Sequence, residues 1–452
     1  MRRAPIVLLA GLLVMGCAVA GKSSPGGEAS PAAPGSVAPH GAIPGSAAPH
    51  TDSPSPVGPA SPWADTGSEP TIVIARLGDH LVLLDAGNGQ RLFETPAGVG
   101  TPDWRTVYAT SPSGSATLVA RVRVDEGGGV DAKQTIAGHF VPATIGTSAA
   151  TTGLSADGGT LVLVDPAPPA GGSRFAVLST AFDRPAAIIS LAGRFTFDAL
   201  SPDGRRLYLV EHLAADVGGH YVVRSYDVAA RALEDGIVVD KLNSGEAMAG
   251  TPVEQVAGNS GWVFTLYLGP DGPFVHALST LDRIAICLDL PVPPGSGAAA
   301  SGWGLGVDAG AHVLYVANGT LGRAYQVDLD SPQVVRSADL ATAASTLVEL
   351  AKFDGAPGTT GRLAALSPDG SALYVVGPAG LRVVSTRDLS SGALLLAGQV
   401  LSGVGISPDG RMLFALERGG RIVTVDAATG AVLGAFDGSG YDAILRVIGG
   451  RP

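Results

Sequence analysis

Beyond position 70 the side chains able to move a proton, hold a metal or attack a substrate are few and scattered. Six histidines lie there: His80, His139, His212, His220, His276 and His312. None stands in a His-x-x-x-His or His-Glu-x-x-His pair, the spacing that sets two imidazoles around zinc, so metalloprotease chemistry has no support. No Gly-x-Ser-x-Gly elbow and no phosphate-cradling Gly-Lys-Ser/Thr occurs in the same span. The densest group is Glu211, His212, Asp216 and His220, types that can bind zinc or serve as a general base. It sits on a glycine-containing stretch that reads as a solvated loop. Cys287, in the apolar run Ile284-Ala-Ile-Cys-Leu288, reads as a small buried apolar side chain. At a formal charge of −11 the chain repels phosphate backbones, so nucleic acid is not an expected partner.

These residues must be positioned by short strands. Leu363-Ala-Ala-Leu-Ser-Pro-Asp-Gly-Ser-Ala-Leu-Tyr-Val-Val376 is an apolar run, a tight turn and a second apolar run. Asp369-Gly370 supplies the turn, Pro368 cannot sit inside a central strand, and Tyr374, Val375 and Val376 favour a pleated surface. Ser201-Pro-Asp-Gly204, Ser407-Pro-Asp-Gly410 and Ser155-Ala-Asp-Gly158 repeat the pattern, with a degenerate copy at Val307-Asp-Ala-Gly310. Ser367 and Ser407 stand 40 residues apart, and Ser155 and Ser201 stand 46 apart. Such a period, with several strands per repeat, predicts the blades of a β-propeller. The aspartates lack the dense ligand spacing of an EF-hand loop, and turn formation accounts for them.

Counting strand sets over residues 71–452 predicts an all-β domain of four-stranded blades, eight by count. Seven is the alternative, because the second set is irregular around Asp125–Gly129. The first set, from Thr71, lacks an innermost strand. The lone run Ala443-Ile-Leu-Arg-Val-Ile448 can supply it and close the ring by pairing the chain ends. The starts of innermost strands line a propeller's channel. The candidate binding residues on that face are Asp103, Trp104, Asp198, Glu254, Gln255, Trp303 and Arg362. Trp104 and Trp303 can stack on a sugar or a partner side chain, or plug the space between blades.

The first 70 residues are of another kind. Arg2 and Arg3 precede an apolar stretch, Ile6 to Val14, too short to span a bilayer. It ends Leu13-Val-Met-Gly-Cys17, which resembles the lipobox of bacterial lipoproteins. The resemblance implies cleavage of a signal peptide, residues 1–16, and lipidation of Cys17. Two acyl chains meet the requirement for stable anchoring, on the extracytoplasmic side of a membrane in the cell envelope. Residues 17–70 are rich in Pro, Ser, Ala and Gly and read as a disordered tether spanning roughly 40 Å. His40 and His50, in a short internal repeat, read as part of that spacer.

The blades resemble the YVTN-type and WD40-like propellers of bacterial surface proteins. Leu314-Tyr-Val-Ala-Asn318 followed by Ala324-Tyr-Gln-Val-Asp-Leu329 carries the YVTN likeness, and Val425-Asp-Ala-Ala-Thr-Gly-Ala-Val432 is similar to the turn common to such repeats. The Trp-Asp dipeptide of eukaryotic WD40 repeats is missing. The Asp-Ala-Ala-Thr-Gly turn is also similar to that of PQQ-dependent quinoproteins, but Phe436 stands where those carry a docking Trp, so no quinone or other cofactor is expected. The resemblance implies fold more than function. The expected role is a binding or scaffold module for a protein, peptide or glycan. The alternative is a lactonase-like propeller hydrolase or lyase whose His, Glu and Arg side chains converge at the channel mouth.

Overall fold

The computed structural model describes residues 71–449 except 97, 125–127, 146–152, 214–219, 239–246, 259–260, 294–301, 341–360, 437 and 439. The signal sequence, Cys17, the tether, its two histidines and Asp216 lie outside the described residues. No helix among the described residues is long and apolar enough to cross a membrane.

Eight antiparallel sheets form the eight blades of a β-propeller, which decides between seven and eight. The second set is a complete blade: Gly98–Gly100, Thr106–Ser113, Ala116–Arg123 and Gly129–Ala137. Innermost strands of blades three to eight are Val141–Pro142, Arg194–Leu200, Thr251–Ala257, Trp303–Asp308, Ala364–Leu366 and Leu401–Ile406. Blade one takes its innermost strand from Ala443–Gly449, which pairs antiparallel with Thr71–Leu77 from Thr71↔Gly449 to Arg76↔Ala443. Closure leaves neither chain end as a bare sheet edge.

Period-two alternation explains why the sheets stack. In blade five Phe264 and Leu266 face blade six and join Leu305, Leu314 and Val316, whereas Val263 faces blade four and joins Tyr208 and Val223. Apolar clusters of this kind lie between neighbouring blades around the ring, including Ile72, Ile74 and Val107 between blades one and two, and Phe414, Leu416 and Val73 between blades eight and one. Blades are therefore mainly apolar on both faces, with buried polar exceptions such as Gln255, Thr265 and His276 between blades four and five.

The repeated turn is held by one device. Ser367 Oγ donates to Asp369 Oδ1 (2.6 Å) and accepts from the Ala372 N–H (2.9 Å), while Gly370 takes φ +71°. Ser201, Ser407 and Ser155 repeat it with Asp203, Asp409 and Asp157. The hydroxyl and backbone hydrogen bonds hold the Asp369 carboxyl down at about 2.

Close approach of inner strands limits what can stand at Gly304. A Cβ there would lie 2.5 Å from the Ala364 nitrogen and 2.8 Å from the Ala364 Cβ, across the interface of blades six and seven. Gly304→Ala is expected to destabilise the fold by about 1–3 kcal/mol, as overpacking against backbone does. Denaturant melts check this, and a variant as stable as wild type would show that the two strands part freely.

Candidate functional site

The inner strands bring some of the predicted residues together and separate others. Glu254 is 1% exposed and points toward blade six. Its Oε2 accepts the Leu305 N–H (2.9 Å) and its Oε1 lies 3.3 Å from Arg362 Nε. Arg362, just before the inner strand of blade seven, also reaches the Leu305 carbonyl (3.5 Å). One ion pair thus ties blades five, six and seven at the channel. Burial pushes the Glu254 carboxyl up, and the Arg362 charge, the Leu305 N–H and the Arg362 hydrogen bond only partly oppose it.

Gln255, the next residue, faces the other way. Its Nε2 donates to the Asp198 carbonyl (3.1 Å) and to Thr265 Oγ1 (2.7 Å), linking blades five and four. Asp198 occupies a bulge in the inner strand of blade four, between Phe197↔Leu209 and Ala199↔Tyr208. It is fully buried, neither carboxylate oxygen has a hydrogen-bond partner among the described residues, and burial pushes its pKa up to about 7.

The two tryptophans fill space between blades. Trp303, 1% exposed, lies 5.9 Å from the Tyr325 ring in the core between blades five and six. Trp104 adopts φ +57° and packs with Ile72, Val107 and Leu445 between blades one and two. Asp103 and Trp104 fall in the turn after Gly98–Gly100, at the far end of the inner strand from the expected one. Asp103 is exposed and holds that turn by accepting from Thr101 Oγ1 (2.6 Å) and the Arg105 N–H (3.1 Å).

Trp104 also borders a cavity of about 300 Å³ at this end of the channel, where blades one to five meet. Its walls include Leu154, Leu200, Trp262 and Leu445, with Gln255 and Arg446 among its polar lining. Arg446 was not among the sequence candidates. The available signal was a lone charge inside the apolar run of the closing strand, at the position that turns toward the channel. Its side chain meets solvent, yet the surrounding walls lower its pKa by desolvation, and the Arg362 charge lowers it further. No ion pair among the described residues joins Arg446 to a carboxylate.

Among the described residues the other sequence cluster forms no metal site. Glu211 pairs with Arg224 (2.9 Å), His212 Nε2 lies 3.2 Å from Thr196 Oγ1, and Asp216 falls outside the described residues. Among the described residues no three His, Cys, Asp or Glu side chains gather closely enough to hold a metal. Cys287 departs from the reading of a buried apolar side chain. It is half-buried and contacts Met248 and His276.

No protein-family model matches the sequence, and no curated protein matches it. Solved structures do. Apo AztD from Citrobacter koseri shares 11% identity over 85% of this chain and 98% of its own, with a TM-score of 0.50. The dihydro-heme d1 dehydrogenase NirN, solved in complex with DHE, shares 15% identity over 85% of this chain and 76% of its own, with a TM-score of 0.51. At such identities the likeness shows the fold alone, a β-propeller, which this chain builds with eight blades.

Proposed function

We propose that this protein is a membrane-tethered binding module whose channel mouth takes a peptide or protein segment bearing a carboxylate. One observation carries the reading: an apolar cavity walled by five blades includes Arg446 in its lining, and no ion pair among the described residues joins that arginine to a carboxylate. Apolar walls with a few convergent polar groups are the usual make-up of a ligand site. A partly desolvated arginine favours a planar anion, which it can hold through two N–H donors. The lipobox-like run ending at Cys17 and the Pro-, Ser-, Ala- and Gly-rich composition of residues 17–70 support an extracytoplasmic, membrane-tethered address. A hydrolase reading draws less support. Glu254, the carboxylate best placed for a base, already has one oxygen on the Leu305 N–H and the other against Arg362.

The test is mild cross-linking on intact cells, purification of the tagged chain and mass spectrometry, comparing wild type with Arg446→Glu and Cys17→Ala. A partner recovered in near-stoichiometric yield from wild type should fall at least ~10-fold in Arg446→Glu, since a charge-assisted hydrogen bond replaced by repulsion exceeds 1.4 kcal/mol. Cys17→Ala should leave the membrane fraction. Unchanged partner yield in Arg446→Glu would overturn the site. Retention of Cys17→Ala in the membrane would overturn the anchor. Ester or lactone turnover by the purified chain, lost in Glu254→Gln, would replace binding with hydrolysis.

A further inference from the structure

A second site, unrelated to the channel mouth, lies where the outer parts of blades four and five meet. His276, on Gly272–Ser279, and Cys287, on Ile284–Asp289, are direct cross-strand partners in blade five. Their side chains share the face turned toward blade four, and Cys287 Sγ lies 3.6 Å from His276 Nδ1. Met248 reaches the same point from blade four. It sits on the two-residue strand Met248–Ala249, opposite Tyr221, and its Sδ is 3.2 Å from Cys287 Sγ. A thiol, a thioether and an imidazole from three strands and two blades therefore converge.

We propose that Cys287, Met248 and His276 form a binding site for one soft monovalent metal ion, Cu(I). Thiolate and thioether sulfur select Cu(I) over harder cations, and imidazole is compatible with it. Two sulfurs and a nitrogen, with Cys287 Sγ in contact with both other donor atoms, suit three-coordination. An open cleft of about 730 Å³, lined by His220, Met248, Phe274 and Cys287, gives the ion a way in. On the inner side the site is backed by aromatic rings: Tyr267 stacks at 5.2 Å on Phe274 and at 5.5 Å on Tyr221. Such a shell excludes water and steadies the ligands.

A further feature marks this interface. His276 ends a polar row, Gln255, Thr265, His276, across blade five, each member at most 1% exposed, and its ring lies edge-on to Tyr267 at 6.1 Å. On binding, the Cys287 thiol releases its proton to water and the thiolate sulfur becomes the ligand, with no change in oxidation state.

The experiment uses the full chain under anaerobic conditions. Cu(I) is offered in competition with a chromophoric Cu(I) chelator to wild type, Cys287→Ser and Met248→Leu, each first shown to be folded by circular dichroism and a thermal melt. Residues 1–70, with Cys17, His40 and His50, are identical in all three, so differences between them report on this site. Wild type should withhold one equivalent from the chelator, Cys287→Ser none, and Met248→Leu should bind at least ~10-fold more weakly, no less than the loss of a supporting group costs a metal site. X-ray absorption of loaded wild type should show two sulfur neighbours and one nitrogen. Equal binding by wild type and either variant would overturn the proposal, as would displacement of the ion by an equal concentration of Zn(II).

Discussion

Asp198→Asn is expected to stabilise the protein, and increasingly so as pH rises. The carboxyl is fully buried with no hydrogen-bond partner among the described residues, and burial lifts its pKa from 3.8 to about 7. A carboxyl whose folded pKa is raised binds its proton more tightly in the folded state. Its contribution is therefore fully present below the unfolded value and is lost as pH rises to the folded one. Between about pH 4 and pH 7 that loss runs at ~1.4 kcal/mol per unit, roughly 4 kcal/mol in all. The amide of Asn carries no such penalty, so the stability gap between variant and wild type should open across this window and stay constant above it. Asp369 and Asp388, held at about 2 by serine hydroxyls and backbone N–H groups, lose their contribution as pH falls toward that value and are common to both proteins. Urea melts of the metal-free proteins at pH 4.5, 6 and 8 read the gap directly. A gap that does not change with pH would mean that Asp198 is hydrated in solution.

The second large effect is expected at Arg362. Arg362→Leu leaves Glu254 buried beside a blade interface with its countercharge removed. Deleting one partner of a buried pair costs about 3–5 kcal/mol, and the partial exposure of Arg362 places this case at about 3. The pH dependence has a definite sign. Burial already holds the Glu254 pKa above its ordinary value, and loss of Arg362 removes the opposing charge. The variant should therefore be least handicapped at acid pH, where Glu254 is protonated, and the deficit should grow as pH rises through the folded pKa. The double variant Arg362→Leu, Glu254→Gln should recover most of the stability at pH 8, because the amide oxygen can still accept the Leu305 N–H. A deficit equal in the single and double variants would assign the effect to packing of the arginine stem alone.

Local chemistry wrote most of the architecture into the sequence. The Ser-Pro-Asp-Gly turns work through atoms at most five residues apart, such as Ser367 Oγ on Asp369 and Ala372, so their copies reveal the blade period without any tertiary information. The closing strand was legible because an apolar run with no partners of its own matches a first blade that lacks an inner strand. The second blade was harder to read, since its sequence pattern is irregular around Asp125–Gly129, yet Arg123 pairs with Gly129 and the ladder runs on to Ala116↔Ala137.

Only the tertiary structure decided which side chains meet. Glu254 and Arg362 are 108 residues apart, and Cys287 and Met248 are 39 apart. Their proximity depends on the angle between blades and on which face each strand turns toward its neighbour. A shift of one residue in any strand would send the side chain to the opposite interface. The bulge at Asp198 is such a shift, and it leaves a carboxylate inside the ring. It also depended on the fold that Trp104 packs between blades at the far end of its strand, and that Arg446, a charge in an apolar run, reaches the channel. Turns and strand pairs follow from short-range preferences that residues carry themselves. A site drawn from several blades follows from long-range register, which no local stretch of the chain encodes.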